Sequence, residues 1–270
     1  MGCLLVCVCG VSDGQYGPPP PGYGRPMRRQ GGGNNERKDD GPVRPSGYIS
    51  GNVGFANPEG SYGAAVGGGY GGYAMAGYDF NLSLGIPVNH SNFGVALQFG
   101  SYSNGYDMGS YASNNGVSEA YPEEDVYGES SILGGLYVTF PLGRVVSIDG
   151  RLMGGVLLST LPEVDYGYYD GQGDSYQYDL EPSNAASFAG DAGIGVRFLI
   201  AQFGRRRLCA MVTVDYLYSK VGYTTQQDIY EVPATGPNAG NELQLVPSPT
   251  FSGTLPVELL NVTFGLGYQL

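Results

Sequence analysis

The chain has 270 residues and a formal net charge of -12, and its composition is far from that of an average enzyme. It contains 47 Gly and 23 Tyr but no Trp, and charged residues make up 14% of the chain, against about 25% in typical domains. This composition favours short strands and turns over helices. The negative charge leaves no basic face to neutralise phosphates, so we expect no nucleic-acid partner.

The first 14 residues contain a short apolar run, Cys3 to Val11. A helix needs about 20 residues to span a bilayer, so this run is too short. It resembles the hydrophobic half of a secretory signal without its charged n-region, and residues 1–14 are therefore interpreted as a signal-peptide-like remnant. Three of the four cysteines lie here, which leaves Cys209 alone and predicts no disulfide framework.

Residues 15–46 are rich in Pro, Gly and mixed charges and have almost no aliphatic side chains. Such a segment cannot bury enough apolar surface to offset the entropy lost on ordering. We interpret it as a disordered periplasmic linker, partly polyproline in character, that serves as a spacer or, alternatively, as a tether.

Residues 47–270 contain eight segments in which apolar residues alternate with small or polar ones. The clearest is Ala74–Ile86, whose even positions are all apolar and whose odd positions are almost all polar or small. A period of two predicts β-strands. The other seven segments are Ile49–Phe55, Phe93–Phe99, Ile132–Phe140, Val146–Leu158, Phe188–Ile200, Leu208–Tyr218 and Asn261–Leu270.

The connections between these strands alternate regularly between long and short. The long ones are Pro58–Tyr73, Ser103–Glu129, Leu161–Ala185 and Val221–Leu255, and the short ones are Pro87–Asn92, Pro141–Val145 and Ala201–Arg207. Outer-membrane barrels have short periplasmic turns and long external loops, whereas Greek-key sandwiches have no reason to alternate in this way. The pattern predicts an all-β fold, an eight-stranded antiparallel up-and-down transmembrane β-barrel at residues 47–270, with mobile external loops.

Charge is divided between the two kinds of connection. The last three long connections contain many Asp and Glu but no Lys or Arg, whereas the short ones contain Arg144 and the run Arg205–Arg207. We therefore expect acidic extracellular loops that are available to an extracellular partner. We expect the short turns and both chain termini of the barrel on the periplasmic side.

The charged residues in the middle of the strands all share the face of the small and polar residues. They are Asp79, Asp149, Arg151, Asp191, Arg197 and Asp215. Inside a small barrel, such groups can pair and form hydrogen bonds, so they predict an interior charge network that plugs the barrel. Two alternatives stay open: a narrow ion or small-solute channel, whose conductance would change on replacing Arg151 or Arg197, and a soluble secreted ligand-binding β-barrel.

Together these features resemble the small eight-stranded outer-membrane barrels of the OmpA transmembrane domain and OmpX type from Gram-negative bacteria. The C-terminal strand carries the most specific likeness, because Thr263, Gly265, Tyr268 and Leu270 fit the fixed places of that family's assembly signal. Leu270 stands where the family usually has Phe. The resemblance implies an outer-membrane location, contact with outer-membrane lipid and recognition by the barrel-assembly machinery.

No pattern in the sequence predicts catalysis, a metal or another cofactor. Most hydrolytic mechanisms need a His as general base, and the single His, His90, lies in a predicted short turn. The acidic clusters Glu119–Asp125 and Glu163–Asp174 lack the ordered spacing of a calcium-binding loop. We therefore expect a non-enzymatic protein with a structural or surface-interaction role.

Deletion of Tyr268–Leu270 should block assembly of the barrel in cells, because it removes the end of the predicted assembly signal. The fraction of the chain that reaches the outer membrane measures this effect. Refolding of the purified truncated chain from urea into lipid vesicles is the control and should suffer less. Normal insertion in cells would contradict the assignment.

Overall fold

The computed structural model describes residues 47–65, 71–89, 91–117, 119–124, 126–169, 175–181, 183–204, 206–232, 240, 243–245 and 250–270. Twelve strands and two helices occur within this part of the chain. The strands are β1 (Tyr48–Pro58), β2 (Gly77–Pro87), β3 (Phe93–Gly105), β4 (Glu119–Glu124), β5 (Val126–Pro141), β6 (Val146–Thr160), β7 (Glu163–Tyr169), β8 (Ser175–Leu180), β9 (Asn184–Phe203), β10 (Arg206–Val232), β11 (Leu243–Leu245) and β12 (Thr250–Gln269). The helices are α1 (Gly60–Gly63) and α2 (Met108–Asn115).

Eight of the strands form a closed antiparallel ring in the order β1-β2-β3-β5-β6-β9-β10-β12. The ring closes because β12 pairs with β10 on one side and with β1 on the other, from Tyr48 opposite Gln269 to Pro58 opposite Leu259. The predicted up-and-down barrel of eight strands is therefore confirmed. Since both flanks of every ring strand are paired, the ring has no free edge.

The hydrogen-bonding register shifts by ten residues over one circuit of the ring, which is the stagger, or shear, of the barrel. A path that starts at Ile49 and passes from each residue to its partner on the next strand returns to Glu59, the residue after β1. The path runs through Leu84, Leu97, Gly134, Gly154, Gly190, Tyr218 and Glu258. In a closed sheet, the strand number and this stagger together set the strand tilt and the diameter. An eight-stranded barrel has an interior just wide enough for side chains to fill.

The exposure of side chains is the reverse of that in a water-soluble domain. On β2, Asp79, Asn81 and Ser83 are buried, whereas the alternate residues Tyr78 and Phe80 are 74% and 48% exposed. Large apolar side chains point outward in the same way from every ring strand, and Leu152 on β6 and Ile194 on β9 are among the most exposed. The strands thus present an apolar belt to their surroundings and enclose the polar residues.

The two ends of the barrel differ. We call the end with the short connections β2–β3, β5–β6 and β9–β10 the turn end, and the opposite one the loop end. The described parts of the long connections are not irregular, because they contain α1, α2, β4, β7, β8 and β11. Their mobility stays a prediction. Sequence periodicity missed these strands because they are short and because β10 runs on from the barrel as far as Val232.

Beyond the loop end, a second sheet joins β4, β7, β8, the last residues of β10 and β11 in that order. Gln227–Val232 of β10 pair with β8, and Ile229–Glu231 pair with β11. The second sheet is therefore anchored to the barrel through one continuous strand.

Helix α2 has well-defined ends. The Asp107 side chain accepts hydrogen bonds from the Ser110 backbone N–H (3.0 Å) and hydroxyl (2.6 Å), and these bonds hold the pKa of Asp107 below its usual value. At the other end, Gly116 has a φ of 68°, the left-handed conformation that glycine adopts without strain. Among the described residues, no helix is long and apolar enough to cross a membrane.

Candidate functional site

The six charged residues predicted to line the barrel interior all point inward. They lie on four strands, with Asp79 on β2, Asp149 and Arg151 on β6, Asp191 and Arg197 on β9, and Asp215 on β10. Asp79, Asp191, Arg197 and Asp215 are buried, and the other two are half-buried. The structure separates them into two ion pairs and two further carboxylates.

The first ion pair joins Arg151 and Asp215 across the intervening strand β9. Arg151 Nε donates to Asp215 Oδ1 at 2.6 Å, and Arg151 Nη2 donates to Oδ2 of the same carboxylate. Thr213 also donates to this carboxylate, at 3.1 Å, and shares a 2.6 Å hydrogen bond with Thr263 of β12. A bidentate contact between a guanidinium and a carboxylate fixes the geometry of both side chains.

Gly193 makes room for this pair. It lies opposite both Arg151 and Asp215 in the pairing of β9 with its two neighbours. A Cβ at Gly193 would overlap Asp215 Oδ1 and lie 3.1 Å from Arg151 Nε. The sequence does not reveal this role, because the position of Gly193 between Arg151 and Asp215 depends on the register of three strands.

The second ion pair, Arg197 with Asp149, lies nearer the turn end. Arg197 Nε is 2.5 Å from Asp149 Oδ2, and its Nη2 donates to Asp149 Oδ1 at 2.5 Å and to Thr139 Oγ1 at 2.8 Å. The guanidinium carbon lies 4.9 Å from the centre of the Tyr48 ring, which contacts the Tyr137 ring edge-on. Aromatic and charged side chains together fill this end of the interior.

Asp79 and Asp191 have weaker contacts. Asp79 accepts a 3.5 Å hydrogen bond from Asn81, which in turn accepts one of 2.7 Å from Asn52. Asp191 Oδ1 is 4.0 Å from Arg151 Nε, and within the described part of the chain neither Asp191 oxygen has a hydrogen-bond partner. The structure therefore brings Asp191 beside the Arg151–Asp215 pair without a direct bond.

The loop end of the interior is closed by side chains and by the first long connection. Tyr62 of α1 is fully buried, and its hydroxyl donates to Glu129 on β5. Tyr127 donates to the Gly72 carbonyl at 2.5 Å. A set of fully buried aliphatic residues fills the same interior: Leu133, Leu157, Leu217, Val221, Val257 and Leu259. Together these side chains occupy the loop-end part of the described barrel interior.

Three of the four residues of the predicted assembly signal lie on β12, and Leu270 directly follows it. Thr263 is fully buried in the barrel, and Gly265 packs so closely on Asn52 that a Cβ there would overlap its side-chain oxygen. Tyr268 pairs with both Ile49 and Leu208. Leu270 is exposed, and its backbone N–H donates to Gly47 at 2.8 Å. These residues close the ring, and their recognition by an assembly machinery stays a prediction.

Tyrosine side chains connect the barrel to the second sheet. The rings of Tyr62, Tyr127, Tyr106, Tyr111, Tyr166 and Tyr178 contact one another in succession, with centroids 4.9–5.9 Å apart. Burial raises the pKa of Tyr111 above its usual value, so its hydroxyl stays neutral over the physiological range. This contiguous cluster gives the loop end a rigid aromatic core.

Where β7 pairs with β8, the second sheet has an aromatic pair on one face and an acidic pair on the other, which we call the acidic face. Tyr166 stacks on its cross-strand partner Tyr178, and the neighbouring pair on the other face is Asp165 opposite Asp179. Carboxylate oxygens of Glu163, Asp165 and Asp179 all lie within 4.8 Å of one another. Glu163 and Asp165 belong to the acidic cluster seen in the sequence, but the approach of Asp179 depends on the pairing of β7 with β8.

Several predicted features lie outside the described residues. They are the signal-like segment 1–14, the linker 15–46, His90, Arg205 and the acidic residues Asp125, Asp170, Asp174 and Glu242.

No protein-family model and no curated protein matches the sequence. The solved structures that resemble the chain include Neisserial surface protein A (14% identity, TM-score 0.44, covering 83% of this chain and 97% of that chain). They also include a major outer membrane protein from Thermus thermophilus (14%, 0.39, 83% and 98%) and outer membrane protein AlkL in lipid bilayers (12%, 0.33, 88% and 97%). Because these TM-scores are below 0.5, the functional assignment rests on the residues of this chain.

Replacement of Arg151 by Met should lower the free energy of unfolding by about 3–5 kcal/mol, because it leaves Asp215 buried without its cation. Urea titration of the folded barrel in lipid vesicles measures this. Arg206→Met, at an exposed site near the turn end, is the matched control and should change stability by less than about 0.5 kcal/mol. Equal effects of the two substitutions would contradict a structural role for the pair.

Gly193→Ala should lower the free energy of unfolding by about 1–3 kcal/mol, because the added methyl group displaces the Asp215 carboxylate. Gly190→Ala on the same strand is the control, since a Cβ at Gly190 meets nothing within 4 Å. The loss should shrink when Gly193→Ala is introduced into an Asp215→Ala background. A loss of the same size in both backgrounds would show that crowding of the ion pair is not its cause.

Proposed function

We propose that this chain is a non-enzymatic integral outer-membrane β-barrel with a plugged interior and a structural or surface-interaction role. The observation that carries the proposal is the reversed burial pattern, in which aliphatic and aromatic side chains face outward while Asp, Asn, Ser and Arg are enclosed. In water, this arrangement would leave a continuous apolar surface exposed round the whole barrel. In a bilayer, the same surface meets lipid, and the closed ring satisfies the backbone hydrogen bonds.

The height of the apolar belt supports this location. On β2, the outward residues are apolar from Tyr78 to Ile86. At a rise of about 3.4 Å per residue and a strand tilt of about 40°, this span covers roughly 20 Å along the barrel axis. Apolar bands of outer-membrane barrels are about 25 Å tall. Outward-facing Tyr78 lies near the loop end of β2, and outward-facing Tyr216 and Tyr218 lie on β10 level with the loop end of β1, where an aromatic girdle is expected.

The orientation follows from the connections. The termini of the barrel and its three short turns lie at one end, which in outer-membrane barrels faces the periplasm. The loop end, with the second sheet and its acidic face, then faces the outside of the cell. The acidic face suits a partner that carries positive charge, because a complementary potential steers association. The barrel-assembly machinery is the expected partner during insertion.

The filled interior favours a plug over a channel. Two bonded ion pairs, the aliphatic residues at the loop end and the Tyr62–Glu129 contact occupy the cross-section. Eight-stranded barrels of this kind have no room for an aqueous pore once side chains fill them. The role of the protein therefore lies in its surfaces.

Leu152→Arg distinguishes a membrane barrel from a soluble one. Leu152 lies in the middle of β6 and is 65% exposed, so in a soluble protein the substitution should be almost neutral. In a bilayer, it should cost about 2–4 kcal/mol, because a charged side chain then faces hydrocarbon. The measurement is urea unfolding after reconstitution into vesicles, together with the fraction of chain inserted.

The control for this test is Ser130→Arg, which also places a charge on an exposed outward position but nearer the loop end of β5. It should insert normally and lose little stability. If Leu152→Arg behaves like Ser130→Arg, the belt does not face lipid and the proposed location is wrong.

A further inference from the structure

A cavity of about 240 Å³ lies at the loop end of the barrel, between the barrel mouth and the second sheet. Each of the four long connections contributes to its wall: Gly72 from the first, Tyr127 from the second, Val164 from the third and Leu255 from the fourth. Packed interiors rarely leave spaces much larger than a water molecule, so this cavity is larger than the gaps that side-chain packing normally leaves. Mouths of β-barrels are a common place for ligand sites.

The wall of the cavity is mainly aromatic and aliphatic. Val164 and Leu180, a cross-strand pair of β7 and β8, form one side. Tyr106 and Tyr127, whose ring centroids are 5.8 Å apart, form another. Because these rings also contact Tyr62 and Tyr73, the aromatic side is held in place by its own packing. A rigid wall of this kind can bind a planar molecule without first being ordered.

Three hydroxyl groups on the wall already donate hydrogen bonds within the protein. Thr225 donates to the Glu181 carbonyl at 2.5 Å, Ser183 donates to the Thr224 carbonyl at 2.9 Å, and Tyr127 donates to Gly72. An apolar molecule beside them would therefore not leave these donors without a partner. None of the described residues that line the cavity is Lys or Arg, and the one acidic side chain among them, Glu181, is exposed to solvent.

We propose that this cavity is a binding site for a small uncharged aromatic molecule. An anion would find no cationic group on the described wall, and any charged molecule would lose its hydration among apolar side chains. A cavity of about 150 Å³ lined by apolar residues accommodates benzene, so one of this size has room for two fused rings, as in indole. The exposed side chains of Glu181 and Thr254 lie on the rim, where a molecule from outside can enter.

Titration with indole tests the proposal on the full chain reconstituted in phosphatidylcholine nanodiscs. The protein has no Trp, so the fluorescence of indole can be separated by its longer emission wavelength from that of the protein's tyrosines. Protein-free nanodiscs measure partition into lipid, which is subtracted. We expect saturable binding with one site per chain, and at least about tenfold weaker binding of the charged analogue indole-3-acetate.

Two neighbouring substitutions provide the matched comparison. Thr225 lines the cavity, whereas Thr224 is exposed on the opposite face of the same strand. Thr225→Phe fills the cavity and should weaken indole binding at least about tenfold, while Thr224→Phe should change it by less than about twofold. Circular dichroism verifies that both variants are folded.

If Thr225→Phe does not fold, Val164→Phe fills the cavity from another strand and should show the same loss. A signal that never saturates, or that equals that of protein-free nanodiscs, would overturn the proposal. Saturable binding that neither Thr225→Phe nor Val164→Phe weakens would also overturn it, because the site would then lie elsewhere.

Discussion

The structure depends on closure of the β-sheet. In hydrocarbon, no water is present to bond to a free strand edge, so every backbone N–H and C=O of the spanning strands must be paired within the protein. The pairing of β12 with both β1 and β10 meets this requirement, and it explains why the period-two pattern continues to Tyr268 and Leu270. A frayed last strand would leave two edges open in the proposed environment.

Closure also determines what the interior can hold. With eight strands and a stagger of ten residues, the inward side chains must fill a narrow space, and polar ones must bond to each other there. Arg151 reaches Asp215 only because Gly193 leaves space on the strand between them. At the loop end, the same requirement is met by aliphatic and tyrosine side chains. The ion pairs and the tyrosine cluster thus both follow from the narrow interior of the closed eight-stranded ring.

The sequence predicted the ring strands and their faces because alternation is a local property of each strand. It placed Asp79 and Arg197 on the inward face for the same reason. It could not predict which Arg binds which Asp, because that depends on the stagger between strands far apart in sequence. The second sheet was missed because β7 and β8 are short, and because β8 pairs with the far end of β10. The cavity at the loop end arises only when the four long connections meet.

The most direct test of the central claim is the electrophoretic mobility of membrane-extracted protein in SDS, with and without boiling. A folded outer-membrane barrel keeps its hydrogen-bonded ring in SDS at room temperature, so the unheated and boiled samples should migrate to different positions. Identical mobility of the two samples, together with protein that stays in the supernatant after ultracentrifugation without detergent, would contradict a membrane barrel.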